Sequence, residues 1–189
     1  MGQLSLRELI LCALFVALVA VGALIRIPVG TDVFTLQFMF TLLAGLLLGP
    51  RLGATAVAVY ILLGLMGVPV FASGGGPGYI LQPTFGYLLG FVVQAWFCGW
   101  AARRGAVTFK RLFLINFGGM VIVYAFGLVW FYVISNYVID APVALYWVIL
   151  YCGILQIPPD ALLCVAAAAA AKRGLSAGIW LNPPRGTGK

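Results

Sequence analysis

The chain has 189 residues, 64% of them hydrophobic and only 8% charged, against roughly 25% charged and about 45–50% apolar in an ordinary globular chain whose surface meets water. Its outer surface is therefore read as facing lipid, which sets aside a soluble enzyme, a disulfide scaffold and a nucleic-acid module. The formal charge of +7 comes from eleven Lys and Arg against four acids, a balance that on so apolar a chain belongs to membrane flanks rather than to a nucleic-acid partner.

A spanning helix needs about 20 apolar residues, with about 17–25 as the usual range. About six segments separated by Gly, Pro and charge approach this, so the expected fold is an all-α integral membrane protein of six transmembrane helices. The first span is Leu6–Ile27. Arg7 precedes an apolar run as in a signal peptide, yet Leu9–Ile25 is just long enough to span and is read as a retained helix. Within it Ala13 and Ala17 stand at i, i+4, with Ala20 about one turn further on. Such a small-residue face lets another helix approach closely, either inside this bundle or from a partner.

Spans two and three, Leu36–Leu48 and Leu52–Met66, are short and are divided by Gly49-Pro50-Arg51-Leu52-Gly53. Pro and two Gly force a tight turn, compatible with two helices or with one thin-spanning hairpin. Gln37 sits at the outer start of span two, where it adds a polar group to an outward-facing pocket, while Thr35 is read as a helix cap.

Between spans three and four runs Phe71-Ala-Ser-Gly-Gly-Gly-Pro-Gly-Tyr-Ile-Leu-Gln-Pro-Thr-Phe-Gly-Tyr87. Its glycines, Gly75 among them, oppose a stable helix and bring backbone close to whatever they cover. A phosphate cradle is excluded, because no GK[ST] ending and no preceding strand accompany the glycines. Tyr79, Gln82, Thr84 and Tyr87 instead set hydrogen-bonding tips around apolar rings, which suits a lid or wall over a small amphiphilic ligand. The competing reading is a plain helix connection.

Spans four to six are Pro83–Arg103, Arg111–Tyr137 and Pro142–Ala171. In the last, Gln156-Ile157-Pro158-Pro159-Asp160 makes a polar, broken-helix patch near mid-membrane. Asp160 is the only acid deep inside a span, and an intramembrane carboxylate is a functional-site hypothesis by default. The two prolines remove backbone donors and leave carbonyls of the preceding turn available to other groups. The alternative is a kink whose Asp caps a helix restarting at Ala161.

Six spans place Arg7, Arg51, Arg103, Arg104, Lys110, Arg111, Lys172, Arg173, Arg185 and Lys189 on one side, ten of the eleven cations. Arg26, Asp32 and Asp140 fall on the other. The positive-inside rule then puts both termini in the cytoplasm of a multi-pass cell-membrane protein. Residues 1–181 are expected to form one domain, followed by an unstructured Pro/Gly-rich tail over 182–189.

Several chemistries lack their residues. The chain has no His, which removes His-based relays and most zinc or copper sites. Cys12, Cys98, Cys152 and Cys164 are widely spaced in apolar runs and read as small hydrophobes. No Walker A motif is present, and Asp160 has no partner acid, His or nucleophile grouping for catalysis. No metal, cofactor or enzymatic activity is therefore expected.

The run Val68-Pro-Val-Phe-Ala-Ser-Gly-Gly-Gly76 with Gln82-Pro-Thr-Phe-Gly-Tyr-Leu-Leu-Gly-Phe91 closely resembles the BioY family. So do Thr35-Leu-Gln37, Leu42-Leu-Ala-Gly-Leu-Leu-Leu-Gly-Pro50 and the Pro-Asp of span six, over a match from Leu9 to Arg173. The family comprises biotin-specific S components of energy-coupling factor (ECF) vitamin transporters. The resemblance implies a six-helix S-component fold with cytoplasmic termini and an outward-facing biotin pocket under the first and third loops. It also implies that Ala13 and Ala17 dock on a transmembrane coupling subunit, with partner ATPases supplying energy.

Carried onto this chain, the resemblance gives Asp160 the ureido N–H groups of biotin. A lid of Gly74–Gly78 and the Gln37 segment would close over the ligand while Tyr79 and Tyr87 pack its bicyclic ring, with Gln82, Thr84 and Gln156 completing the candidate set. One position departs. The family pattern in span six is Pro-Gly-Asp followed three residues later by Lys, whereas this chain has Pro159 for the Gly and Leu163 for the Lys. The cation that would pair with the ligand's carboxylate is absent there, so that carboxylate finds Arg26, reaches water or lipid headgroups, or is not part of the ligand, and a biotin-like or precursor vitamin stands beside biotin. An intramembrane enzyme acting on a lipid or vitamin, or a bare assembly subunit, are the readings from other classes.

Overall fold

The computed structural model of the chain describes residues 5–29 and 32–181. The first helix, α1 (Leu6–Leu24), begins at a reciprocal cap: Ser5 Oγ accepts from the Glu8 amide at 3.3 Å, and the Glu8 carboxylate accepts from the Ser5 amide at 2.8 Å. Two of the N–H donors that open a helix are thereby satisfied. The helix stops three residues short of the expected Ile27, because the chain turns into an antiparallel hairpin. Its strands are β1 (Arg26–Val29) and β2 (Asp32–Thr35), with Arg26 opposite Thr35 in the register. Thr35 thus ends a strand and caps no helix; α2 (Gln37–Leu48) is preceded by Leu36 and receives no side-chain cap.

The turn at Gly49 has φ +97°, a conformation glycine adopts without strain. Pro50 then opens α3 (Pro50–Leu65), where its missing N–H is harmless. Spans two and three are therefore two distinct helices. At 12 residues α2 is only about 18 Å long, well under the ~30 Å hydrocarbon core. It needs no lipid-facing length, because it lies in the middle of the bundle against α1, α3, α4 and α7 and is buried from Phe38 through most of its course. Its shortness leaves room above its N-terminus, and that room becomes the cavity described below.

Next come α4 (Phe85–Ala102) and α5 (Phe109–Tyr137), the most extensively packed pair. Close backbone approach among α2, α3 and α4 depends on small residues: a Cβ on Gly99 would lie 2.5 Å from the Pro50 nitrogen and 2.6 Å from the Gly45 carbonyl oxygen.

The sixth span is interrupted. Helix α6 (Leu145–Cys152) ends at Gly153, a short 3-10 turn covers Ile154–Gln156, and α7 (Ile157–Ser176) completes the crossing. The break falls before the two prolines, not at them. Pro158 and Pro159 occupy the first turn of α7, where the N–H groups have no intrahelical acceptor in any case. Asp160 lies in that first turn as well, so it does not cap a helix starting at Ala161.

Among the described residues, four segments are long and apolar enough to cross a membrane: Leu6–Leu24, Phe85–Ala102, Phe109–Tyr137 and Leu145–Ser176. With the shorter α2 and α3 they make a six-span helical bundle, a multi-pass membrane architecture. The tail 182–189 lies outside the described residues.

At the end opposite the hairpin, Arg103 terminates α4 and holds three elements together. Its guanidinium donates to the carbonyls of Gly99 at 3.0 Å, Leu46 at 3.3 Å, Leu47 at 3.5 Å and Leu181 at 2.6 Å. Two of these carbonyls belong to the last turn of α2, which lacks intrahelical donors and carries the negative end of the helix dipole. The segment after α7 is pinned to the same place, since the Leu181 amide donates to Leu47 at 2.8 Å and the Trp180 indole to Ala171 at 2.7 Å.

Candidate functional site: a lidded cavity at the membrane-embedded acid

Above the N-terminus of α2 the helices enclose a cavity of about 180 Å³, room for a small organic molecule rather than a single water, whose share of liquid volume is about 30 Å³. Its cover is the segment between α3 and α4. Phe71 is the pin of that cover: its ring seats against Gly64 of α3, where a Cβ would collide with it, and meets Tyr60 edge-on at 5.5 Å. The Tyr60 hydroxyl donates to the Val70 carbonyl at 3.0 Å, and the Gly76 amide donates to the Gly64 carbonyl at 2.7 Å. Beyond the pin a 3-10 turn, Pro77–Leu81, turns Tyr79 inward until its ring lies 4.4 Å from that of Phe71.

Six of the eight substrate candidates line this one cavity: Gln37, Tyr79, Thr84, Tyr87, Gln156 and Asp160. They come from α2, the cover, α4 and the break in the sixth span, elements far apart in sequence. Gln82 and Gly75 do not line it. Gln82 follows the 3-10 turn as an exposed residue, and Gly75 is exposed where the chain passes the Val68 carbonyl carbon, which a Cβ would approach to 2.9 Å.

Asp160 is buried and its Oδ2 accepts a hydrogen bond from the Tyr124 hydroxyl of α5 at 2.6 Å. A charge-assisted O–H···O⁻ bond is short and strong, and it offsets part of the cost of holding a carboxylate away from water. Tyr87 donates to the Cys152 carbonyl at 2.9 Å, so one carbonyl set loose by the helix break is held by the cavity wall. Gln37 is buried at the first position of α2, and its Nε2 finds no hydrogen-bond partner among the described residues. The floor is apolar, built from Phe38, Leu88, Phe91 and Val123. Leu163 is buried elsewhere, and among the described lining residues none is cationic. The described residues contain no cluster of metal-ligating side chains.

Sequence reasoning missed Tyr124, together with Ala72 and Ser73 of the cover. Tyr124 sits in a long apolar helix with no motif around it. The only available signal was its polar tip beside the buried stripe Asn116, Met120, Val123 and Gly127. Beneath the floor lies a further buried polar layer, in which Thr41 approaches Gln94 Oε1 at 3.0 Å and Asn116 donates to the Cys164 carbonyl at 3.0 Å. In lipid such bonds tie helices together.

Ala13 and Ala17 stand apart from the cavity. Both are exposed on the outer face of α1, flanked by exposed Leu9, Ile10, Leu14 and Val21, while Phe15, Val19, Gly22 and Ala23 face the bundle. Among the described residues, the alanines are left outside the buried face of α1.

Comparison with known proteins agrees with this architecture. A protein named "Probable biotin transporter BioY" from Lysinibacillus sphaericus is 42% identical over 172 residues, covering 90% of this chain and 88% of that protein. The "Biotin transporter BioY" of Thermotoga maritima is also 42% identical, over 136 residues, covering 71% of this chain and 78% of that one. Among solved structures, an S-component for biotin from an ECF-type ABC transporter superposes with a TM-score of 0.76 at 25% identity, covering 90% of this chain and 91% of its own. The sequence profile of the BioY family matches residues 1–178, and the chain belongs to that family.

Proposed function

We propose that the chain is the substrate-capturing S component of a biotin uptake system, taking biotin from outside the cell and passing it inward with an ECF energising module. The observation that carries this reading is the buried Asp160–Tyr124 pair inside a lidded cavity of a six-span bundle. A carboxylate at membrane depth is costly unless used, and Asp160 lines a space sized for a small molecule while Tyr124 of the neighbouring helix holds it. Asp160 accepts a ring N–H, Tyr79 and Tyr87 flank the ring, and Gln37, Thr84 and Gln156 supply the remaining polar edge. The family to which the chain belongs and its relatives named as biotin transporters support binding rather than turnover as the function.

The orientation that supports capture from outside has both termini in the cytoplasm, as the cation distribution favours. The exposed Ala13 and Ala17 face of α1 then docks on the module's transmembrane coupling subunit, whose associated ATPases supply energy. Small residues on a lipid-facing helix surface admit close approach of a second helix.

A second reading, a biotin-like or precursor vitamin with an uncharged tail, draws support from Leu163, which stands where the family pattern has Lys. Equilibrium binding of labelled biotin to the purified chain in detergent, with biotin amide and dethiobiotin as competitors, tests both. Saturable biotin binding supports the first reading; binding of the amide far more tightly than the acid supports the second. No binding of any of the three contradicts both.

A further inference from the structure

Resting on the biotin reading above, we infer that Tyr124 is a second ligand-contacting residue, whose hydroxyl donates to the carbonyl oxygen of the ligand's ring while Asp160 accepts the N–H beside it. Both side chains line the cavity, they arrive from different helices, α5 and α7, and their oxygens are 2.6 Å apart. A carboxylate accepts only, whereas a phenol has one proton to give. Side by side they form an acceptor–donor edge. A five-membered cyclic urea or lactam holds its amide cis, so that an N–H and a C=O lie next to each other on one ring edge. The two edges are complementary.

In the structure the Tyr124 hydroxyl donates to Asp160. When the ring arrives, its N–H reaches the carboxylate and the Tyr124 proton turns to the ring oxygen, so the phenol keeps an acceptor and the ring edge gains two bonds. A ring with an N–H but a poor acceptor beside it leaves the phenol proton competing for the carboxylate. Sites built to hydrogen-bond a particular group discriminate strongly against analogues lacking it, because buried partners are left unpaired. Tyr87 cannot take the same part in this arrangement, since its proton is directed at the Cys152 carbonyl. The ligand class so selected is that of cyclic ureas and lactams.

The test compares biotin with 2-thiobiotin, which keeps both ring N–H groups and replaces the ring oxygen by sulfur, on the unmodified chain and on Tyr124→Phe in detergent. The unmodified chain is expected to prefer biotin by about tenfold or more. Tyr124→Phe is expected to lose about tenfold for biotin and less than about threefold for 2-thiobiotin, closing the preference. Equal losses for the two ligands, or unchanged biotin affinity in the variant, would overturn the assignment of Tyr124 alone. The preference of the unmodified chain is a check that needs no variant, and its absence would also overturn the assignment. Failure of the unmodified chain to bind biotin at all would overturn this inference together with the reading beneath it.

Discussion

The Tyr87 hydroxyl donates to the Cys152 carbonyl at 2.9 Å, joining α4 to the last residue of α6 across the break in the sixth span. A helix interrupted inside a membrane leaves carbonyls without their usual donors, and lipid offers none. One aromatic residue thus shapes the cavity wall and satisfies the break. Tyr87→Phe keeps the ring and removes the donor, at a cost of about 0.5–1.5 kcal/mol for a lost hydrogen bond. The expected result is a lower melting temperature in detergent and weaker ligand binding; a variant as stable as the parent would contradict this role.

Phe71 pins the cover to α3 through Gly64 and Tyr60. Removing a packed Phe ring costs about 3–5 kcal/mol in a core, and here the loss falls on the closed state of the cover. Phe71→Ala is expected to raise the dissociation rate of ligand by at least about tenfold, with a smaller change in association. Stopped-flow or filter-binding kinetics read both rates. Unchanged dissociation would mean that the cover holds without its pin.

How much was legible beforehand follows from which residues carry local signals. The six spans show as long apolar runs, and Asp160 and the glycine-rich cover stand out against them. The hairpin at 26–35 does not, because Ile27, Val29, Val33 and Phe34 extend the apolar run of α1 as naturally as they form a strand. The position of the break is obscured in the sequence for a related reason. Pro158 and Pro159 look like the cause, yet proline is at ease in a first helical turn, and the chain departs from helix at Gly153. Tyr124 was invisible because its meaning depends on Asp160, 36 residues away, and only the packing of α5 on α7 unites them.

Arg103 gathers the carbonyls of α2, α4 and the segment after α7. Its planar fork reaches several acceptors at once, which an ammonium does not. Arg103→Ala is expected to destabilise the bundle by about 2–4 kcal/mol, using about 1.5–3 kcal/mol for a hydrogen bond from a charged group with partial compensation by water. Arg103→Lys is expected to recover less than half. Thermal unfolding of the two variants against the parent measures both, and full recovery by Lys would show that charge alone matters.

The Ala13 and Ala17 face of α1 is exposed and makes no contact that the cavity needs. Replacing both alanines by Trp is expected to abolish biotin uptake in cells or proteoliposomes containing the energising module, while binding in detergent stays within about twofold because the cavity is untouched. Retained uptake would remove this face as the docking surface. Loss of binding as well as uptake would point to misfolding instead.

The most direct test of the whole account is equilibrium binding of labelled biotin to the purified chain and to Asp160→Asn in detergent. Asparagine preserves size but gives up the charge, and truncating one member of a buried charged hydrogen bond costs about 2–5 kcal/mol. The account predicts tight, saturable binding by the parent chain and a loss of at least about thirtyfold in the variant. Equal affinity of the two proteins, or no binding by the parent, would contradict it.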